Sequence, residues 1–356
     1  MKIAYIGRDI LSIHKSALSW YFRSLPVLGA LLLALPALIC SCHHDGLMPD
    51  TEDQTDDGKP VMTKVMLDDE NLQVGGLDIF TFEDGELQIL DSYQRIDDIE
   101  GEQIQIASRR GDRLLFACAN GQWEREDWMH VNSYESMTAV RAFLENESRM
   151  FPLMTGTCRF TAGDRQDILL ELERISAEVV LRSVICDFSG KSYEEEGIQD
   201  IKIYLINVNA QCCLEPADTV MPERIMNMGG ISDSDMSLMN DTSLLLQECE
   251  DLQSGIMMEP DIRLRCYPNS CPEESPGSPY TRLTLEGKIQ GETWYWSVDV
   301  GRDDGGCGVE RNTRYVYDLV ITGKGTKDPD VPSRKEDISI EMEVKQWKEK
   351  DYSVLF

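Results

Sequence analysis

The sequence predicts an all-β protein made of sandwiches, with a single minor helix. Three observations carry that reading. Apolar residues recur at every second position in run after run, the mark of half-buried strands. The runs are short and separated by Asp-Gly, Gly-Asp and Pro-rich turns. They do not alternate with helical stretches as a βαβ chain would.

The first run is Val61, Thr63, Val65 and Leu67, alternating with Met62, Lys64 and Met66. Leu77 to Phe82 follows, and an Asp84-Gly85 turn then leads into Leu87 to Leu90, a strong hairpin signal. Ile104 and Ile106 precede a turn at Arg110-Gly111-Asp112 and a run from Leu114 to Ala119. Ser133 reads as the N-cap of the one helix, with Met137, Val140 and Leu144 at helical spacing, and the helix is expected to cover an edge of the first sandwich. The stretch from Ile168 to Cys186 is long and apolar. Its Val and Ile content favours strand over helix, and the domain junction is placed within it near Arg174.

The second half repeats the style, beginning with Ile201, Ile203, Leu205 and Val208. Residues 215–260 show no clear period and read as a long excursion, and Pro268 to Pro279 as a loop. Leu283, Leu285 and Ile289 lead through Gln290-Gly291 to Trp294, Trp296, Val298 and Val300. Tyr315, Tyr317, Leu319 and Ile321 form a further strand, and Ile338, Ile340, Met342 and Val344 alternate in the last.

Targeting signals precede this body. Lys15 and Arg23 stand before an apolar run from Leu25 to Ile39, shorter than the roughly 20 residues of a membrane span, so residues 1–41 read as a secretion signal. Ser41 before Cys42 resembles a bacterial lipobox, which makes Cys42 the expected acylation site (a palmitate-bearing lipoprotein), whereas Ile39 is too bulky a neighbour for Cys40. Residues 42–60 are rich in Asp and Glu and almost free of apolar side chains, so they read as a solvated leash, with His43 and His44 solvated on it. The body beyond suits two domains of about 100–200 residues each, taken as 61–173 and 174–356.

The formal net charge is −30. Losing the signal removes more Lys and Arg than Asp, so the exported chain is more acidic still and a poor partner for nucleic acid. The cysteines beyond Cys42 are odd in number, so one at least is free. Cys118 and Cys186 read as core residues, and Cys212-Cys213 and the Cys266/Cys271 pair as candidate disulfides. His130 is the only histidine of the body, so neither a zinc site nor a Ser-His-Asp triad finds its ligands or base. Gly323-Lys324-Gly325-Thr326 lacks the preceding glycine of a phosphate loop. Asp303 and Asp304 beside Gly305-Gly306 read as an acidic turn, not a calcium site. No catalytic constellation stands out: no enzyme, metal or cofactor is implied. Trp294 with Trp296, or Trp123 with Trp128, would serve as stacking platforms in an alternative reading, a surface glycan-binding lipoprotein. Core packing is the favoured role for Trp294 and Trp296.

The C-terminal region carries a more specific pattern. Val309-Glu310-Arg311-Asn312-Thr313-Arg314-Tyr315 runs into Leu319-Val320-Ile321-Thr322-Gly323-Lys324-Gly325-Thr326-Lys327-Asp328-Pro329, and a strand ending in Trp347 closes the chain. This resembles the C-terminal signature of the fimbrillin family, the fimbrial subunits of type V pili in anaerobic Gram-negative bacteria. Leu77 to Phe82, Leu115 to Asn120, Leu153 to Gly156, Leu172 to Val180 and Tyr204 to Val208 add supporting pattern, so the resemblance spans residues 61–356. It implies two transthyretin-like β-sandwich domains, a lipid anchor in the outer membrane, and cell adhesion within a surface fimbrium. The implied partners are other pilus subunits, and surface ligands on host or bacterial cells.

In the family a protease removes the first strand and a neighbour's C-terminal segment fills the groove, a form of strand addition. The resemblance then makes Val61, Thr63, Val65 and Leu67 the inward face of a displaced strand. Ile338, Ile340, Met342 and Val344 are a candidate donor, with 347–356 an equal alternative. One departure stands out: DDENLQVGG, between Leu67 and Leu77, lacks the Arg or Lys at which some family members are cut. Either another protease acts, or this subunit keeps its first strand and serves as an anchor or terminal component.

Overall fold

The computed structural model describes residues 60–67, 74–97, 99, 103–163, 167–302 and 305–347. The signal segment, Cys42, all of the leash but Pro60, Asp303 and Asp304 lie outside the described residues. Among the described residues no helix is long and apolar enough to cross a membrane.

The first half packs two sheets face to face. Strands β1 (Val61–Leu67), β4 (Gln103–Ser108) and β8 (Asp167–Leu170) form a three-stranded sheet in the order β4-β1-β8. Strands β2 (Leu77–Glu83), β3 (Leu90–Ile96), β5 (Gly111–Ala119), β7 (Met154–Ala162) and β9 (Glu173–Arg174) form the other, in the order β3-β2-β5-β7-β9. Val65, Ile104, Ile106 and Ile168 from the small sheet meet Leu77, Ile79, Leu115 and Ala117 from the large one in a common core. Because side chains alternate across a strand, Phe80, Phe82, Phe116 and Cys118 then face the opposite way and need a cover of their own.

The helical segment supplies that cover. Trp128 packs edge-on to Phe80 at 5.0 Å, and Tyr134 edge-on to Phe82 at 5.4 Å. The segment thus covers a face of the sandwich and not an edge, correcting the sequence expectation. The helix is also shorter than its apolar spacing predicts. Helix α1 (Tyr134–Thr138) begins at a Ser133–Ser136 capping box and stops before Val140, because Arg141–Phe143 (β6) leaves to pair with Gln211–Cys213 (β13). Val140 and Leu144 are buried, but outside the helix.

Strands from Ala177 onward build a second pair of sheets. Strands β10 (Ala177–Cys186), β16 (Ile262–Cys266), β19 (Thr313–Ile321) and β20 (Ile338–Gln346) run in the order β16-β10-β19-β20. Strands β11 (Gln199–Ile206), β15 (Leu246–Glu248), β17 (Arg282–Ile289) and β18 (Glu292–Asp299) run in the order β15-β11-β17-β18. Two-residue strands β12 (Val208–Asn209) and β14 (Ile225–Met226) pair alone. The 215–260 excursion is therefore not structureless: it carries β14, helix α2 (Asp233–Met236) and β15, which returns to the sheet beside β11.

The apolar run from Ile168 to Cys186 is strand, but broken into β8, β9 and β10. Gly156 explains the first break. A Cβ there would stand 2.1 Å from the Glu171 carbonyl oxygen, so the chain between β8 and β9 lies directly against β7. A further correction concerns sulfur. All nine described cysteines are free, so Cys212-Cys213 and Cys266/Cys271 are not disulfides. Cys212 is buried while its neighbour Cys213 is half-buried, as alternation along a strand requires. Cys266 packs in the core, where burial pushes its thiol up to about 12. Cys118 and Cys186 are core residues as read from the sequence.

Candidate strand-exchange site

β1 is the middle strand of its sheet. It pairs antiparallel with β4 from Val61 opposite Ser108 to Met66 opposite Gln103, and parallel with β8 from Lys64 opposite Asp167 to Leu67 opposite Leu170. β4 and β8 do not pair with each other, so both ladders depend on β1. Thr63, Val65 and Leu67 are buried and Val61 is half-buried against the same core, whereas Met62 is 60% exposed. On the outer side Lys64 meets Asp167 at 3.4 Å. Taking β1 away would uncover two rows of backbone donors and acceptors and an apolar trough walled by Ile104, Ile106, Ile168 and Leu170. Two hydroxyls at this site, on Thr63 and Ser108, are shielded and have no hydrogen-bond partner.

The chain that follows β1 is pinned independently of it. Asn120 Oδ1 accepts from the Gly75 N–H at 2.8 Å, while Asn120 Nδ2 donates to the Pro152 carbonyl at 2.8 Å. Residues 68–73 of the DDENLQVGG segment lie outside the described residues.

The candidate donor residues sit in the other half. β20 pairs antiparallel with β19 at all nine positions, from Ile338 opposite Ile321 to Gln346 opposite Thr313. Ile338 is buried, Ile340 and Met342 pack half-buried on the core, and Val344 is 54% exposed. β20 is thus an edge strand of its own sheet here, and the fold does not bring it near β1's trough as a partner. Just beyond it Trp347 is buried. Its N–H donates to the Asn312 carbonyl at 2.9 Å, and the guanidinium groups of Arg174, Arg265 and Arg314 lie 4.9, 5.1 and 5.9 Å from its ring. Residues 348–356, the rest of the alternative donor, lie outside the described residues.

Two buried ionic centres escape sequence reasoning. Arg282, 2% exposed, bonds Glu274, Asp299 and Asp330 at once. Glu147 accepts from the Leu153 N–H at 3.0 Å and from the Tyr267 hydroxyl at 3.1 Å, and burial pushes its carboxyl up to about 7. The acids around Arg282 come from the paired strand β18 (Asp299) and from two loops (Glu274 and Asp330), and Glu147 meets Leu153 and Tyr267 from separate segments, so in a chain full of carboxylates no spacing announces either centre. The tryptophans weighed as stacking platforms pack mainly inward. Trp296 and Trp128 are buried, Trp296 Nε1 donates to the Gly323 carbonyl at 2.9 Å, and Trp123 packs on Trp128 at 4.8 Å. Lys327 Nζ covers the Trp294 ring at 3.5 Å. His130 is exposed at the end of a 3₁₀ turn.

No family model matches the chain, and no curated protein matches it in sequence. Solved structures do match. The all-β fold is of the class seen in solved structures provisionally named bacterial cell adhesion proteins. One such structure, provisionally named a cell adhesion protein, from Bacteroides eggerthii, superposes with a TM-score of 0.61 at 13% identity, over 82% of this chain and 97% of that one. A cell adhesion protein, again so named provisionally, from Parabacteroides distasonis gives 0.57 at 13% identity, over 81% and 100%. A fimbrilin from Porphyromonas gingivalis gives 0.59 at 16% identity, over 81% and 98%. The fold is that of fimbrilin, as the C-terminal signature implied.

Proposed function

We propose that the chain is a structural subunit of a surface fimbria, not an enzyme, and that it polymerises by donor-strand exchange. The observation that carries this reading is β1's place: a seven-residue strand in mid-sheet, supplying both ladders of β4 and β8, and the first strand among the described residues. A sheet that loses such a strand is completed at least cost by another chain's strand, whose backbone restores the ladders and whose alternate side chains fill the trough. On this reading 61–173 and 174–356 are separate domains. Cys42 carries the lipid that holds the precursor in the outer membrane, and the donor comes from residues 338–356 of a neighbour.

The full-length chain, cut between Leu67 and Val74, tests the reading. Ladders that resist mild denaturant are expected on a gel, and a product that stays monomeric overturns it. Mass spectrometry of the native surface protein then separates a polymerising subunit, beginning near residue 70, from an anchor that keeps an acylated Cys42.

A further inference from the structure

We propose that Thr63 is the specificity-determining residue of this slot: it makes β1 an imperfect occupant, and the slot favours a strand from a second copy of this chain with a valine-sized apolar side chain at that position. The inference rests on the exchange reading above and concerns what drives it.

Thr63 is 4% exposed and lies on the inward face between Val61 and Val65, opposite Ile106. Its hydroxyl is shielded and has no hydrogen-bond partner. In water that hydroxyl is fully solvated, so every insertion of β1 gives up those bonds and recovers none. Valine has nearly the same shape and carries no such loss. The remaining contacts do not discriminate. Any strand in the same register restores the same backbone ladders, and Val65 and Leu67 are already apolar. The orphan hydroxyl of Ser108 belongs to β4 and that of Thr81 to β2, so both weigh equally on every occupant. The flaw that departs with β1 is the one at Thr63.

Both candidate donor segments offer apolar side chains at alternate positions with one valine in each: Ile338, Ile340, Met342 and Val344 in the first, and Tyr352, Val354 and Phe356 in the second. An occupant with one buried, unsatisfied hydroxyl holds the trough closed yet yields to a strand without it.

The test uses the full chain with a specific protease site inserted between Leu67 and Val74, cut and then challenged with peptides of residues 60–67. The Thr63→Val peptide is expected to bind about tenfold more tightly than the natural one, the equivalent of one lost hydrogen bond. Equal affinities overturn the role of Thr63 while leaving exchange standing. Failure of both peptides to bind overturns exchange itself, and this inference with it. In the uncut chain Thr63→Val is expected to raise the melting temperature by a few degrees. An unchanged or lower value overturns the inference whatever the peptides do.

Discussion

At the scale of single residues, two buried charged groups pull stability in opposite directions. Arg282 donates to Asp299 at 2.7 Å, Asp330 at 2.6 Å and Glu274 at 2.7 Å, and so ties β17 to β18 and to two loops. Arg282→Met keeps much of the volume but leaves three carboxylates facing one another. Breaking a buried pair costs about 3–5 kcal/mol, and the part-exposed acids place this case toward the lower end. Urea unfolding of the variant is expected to show that loss, partly recovered in high salt. Glu147 gives a pH signature. Its carboxyl is raised to about 7 by burial, with Arg265 at 3.9 Å too remote to offset the cost. A raised pKa favours the folded state at pH values below the usual carboxylate range, and that contribution fades as pH rises through about 7. The shift corresponds to roughly 3 kcal/mol of burial cost at pH 8. Glu147→Gln removes the charge, so the variant is expected to gain stability over the parent at pH 8 and not at pH 4. A gain independent of pH would point to packing instead.

At the scale of elements, strands were legible wherever one face is buried and the other is wet. β1 follows this rule, with odd positions in and even positions out. Legibility faded where both faces are covered, as in β2, because side chains large on both sides hide which side meets which layer. That is why the helical segment was assigned to an edge: nothing local says that Phe80, Phe82 and Phe116 face away from the first core. The length of α1 was misjudged for a related reason. Val140 and Leu144 have helical spacing, yet they flank β6, whose pairing with β13 is a contact about 70 residues distant in sequence and invisible to any window. The break between β8 and β9 makes a sharper prediction. With a Cβ position 2.1 Å from the Glu171 oxygen, Gly156→Ala forces β7 away from the crossing chain. A loss of about 2 kcal/mol or more is expected in denaturant unfolding, as in other overpacked sites. A near-neutral result would mean that the crossing segment shifts freely.

At the scale of the whole molecule, net charge opposes the assembly that the fold invites. At −30 for the sequence, and more negative without the signal, two copies repel each other before a strand can meet its trough. Repulsion between exposed charges reaches about 30 Å at 0.01 M salt and only about 8 Å at 0.15 M. Ladder formation by the cut chain is therefore expected to quicken several-fold between those conditions, although the apolar contacts of the trough change little. The cations that line a groove on the outer face of β10, β16, β19 and β20 do not reverse this, because each is paired within the chain: Arg182 with Asp318 and Glu343, Arg263 with Asp261, Arg314 with Glu178, and Lys345 with Glu343. The rate of ladder growth, followed across the two salt concentrations, checks this, and growth that slows as salt rises overturns it.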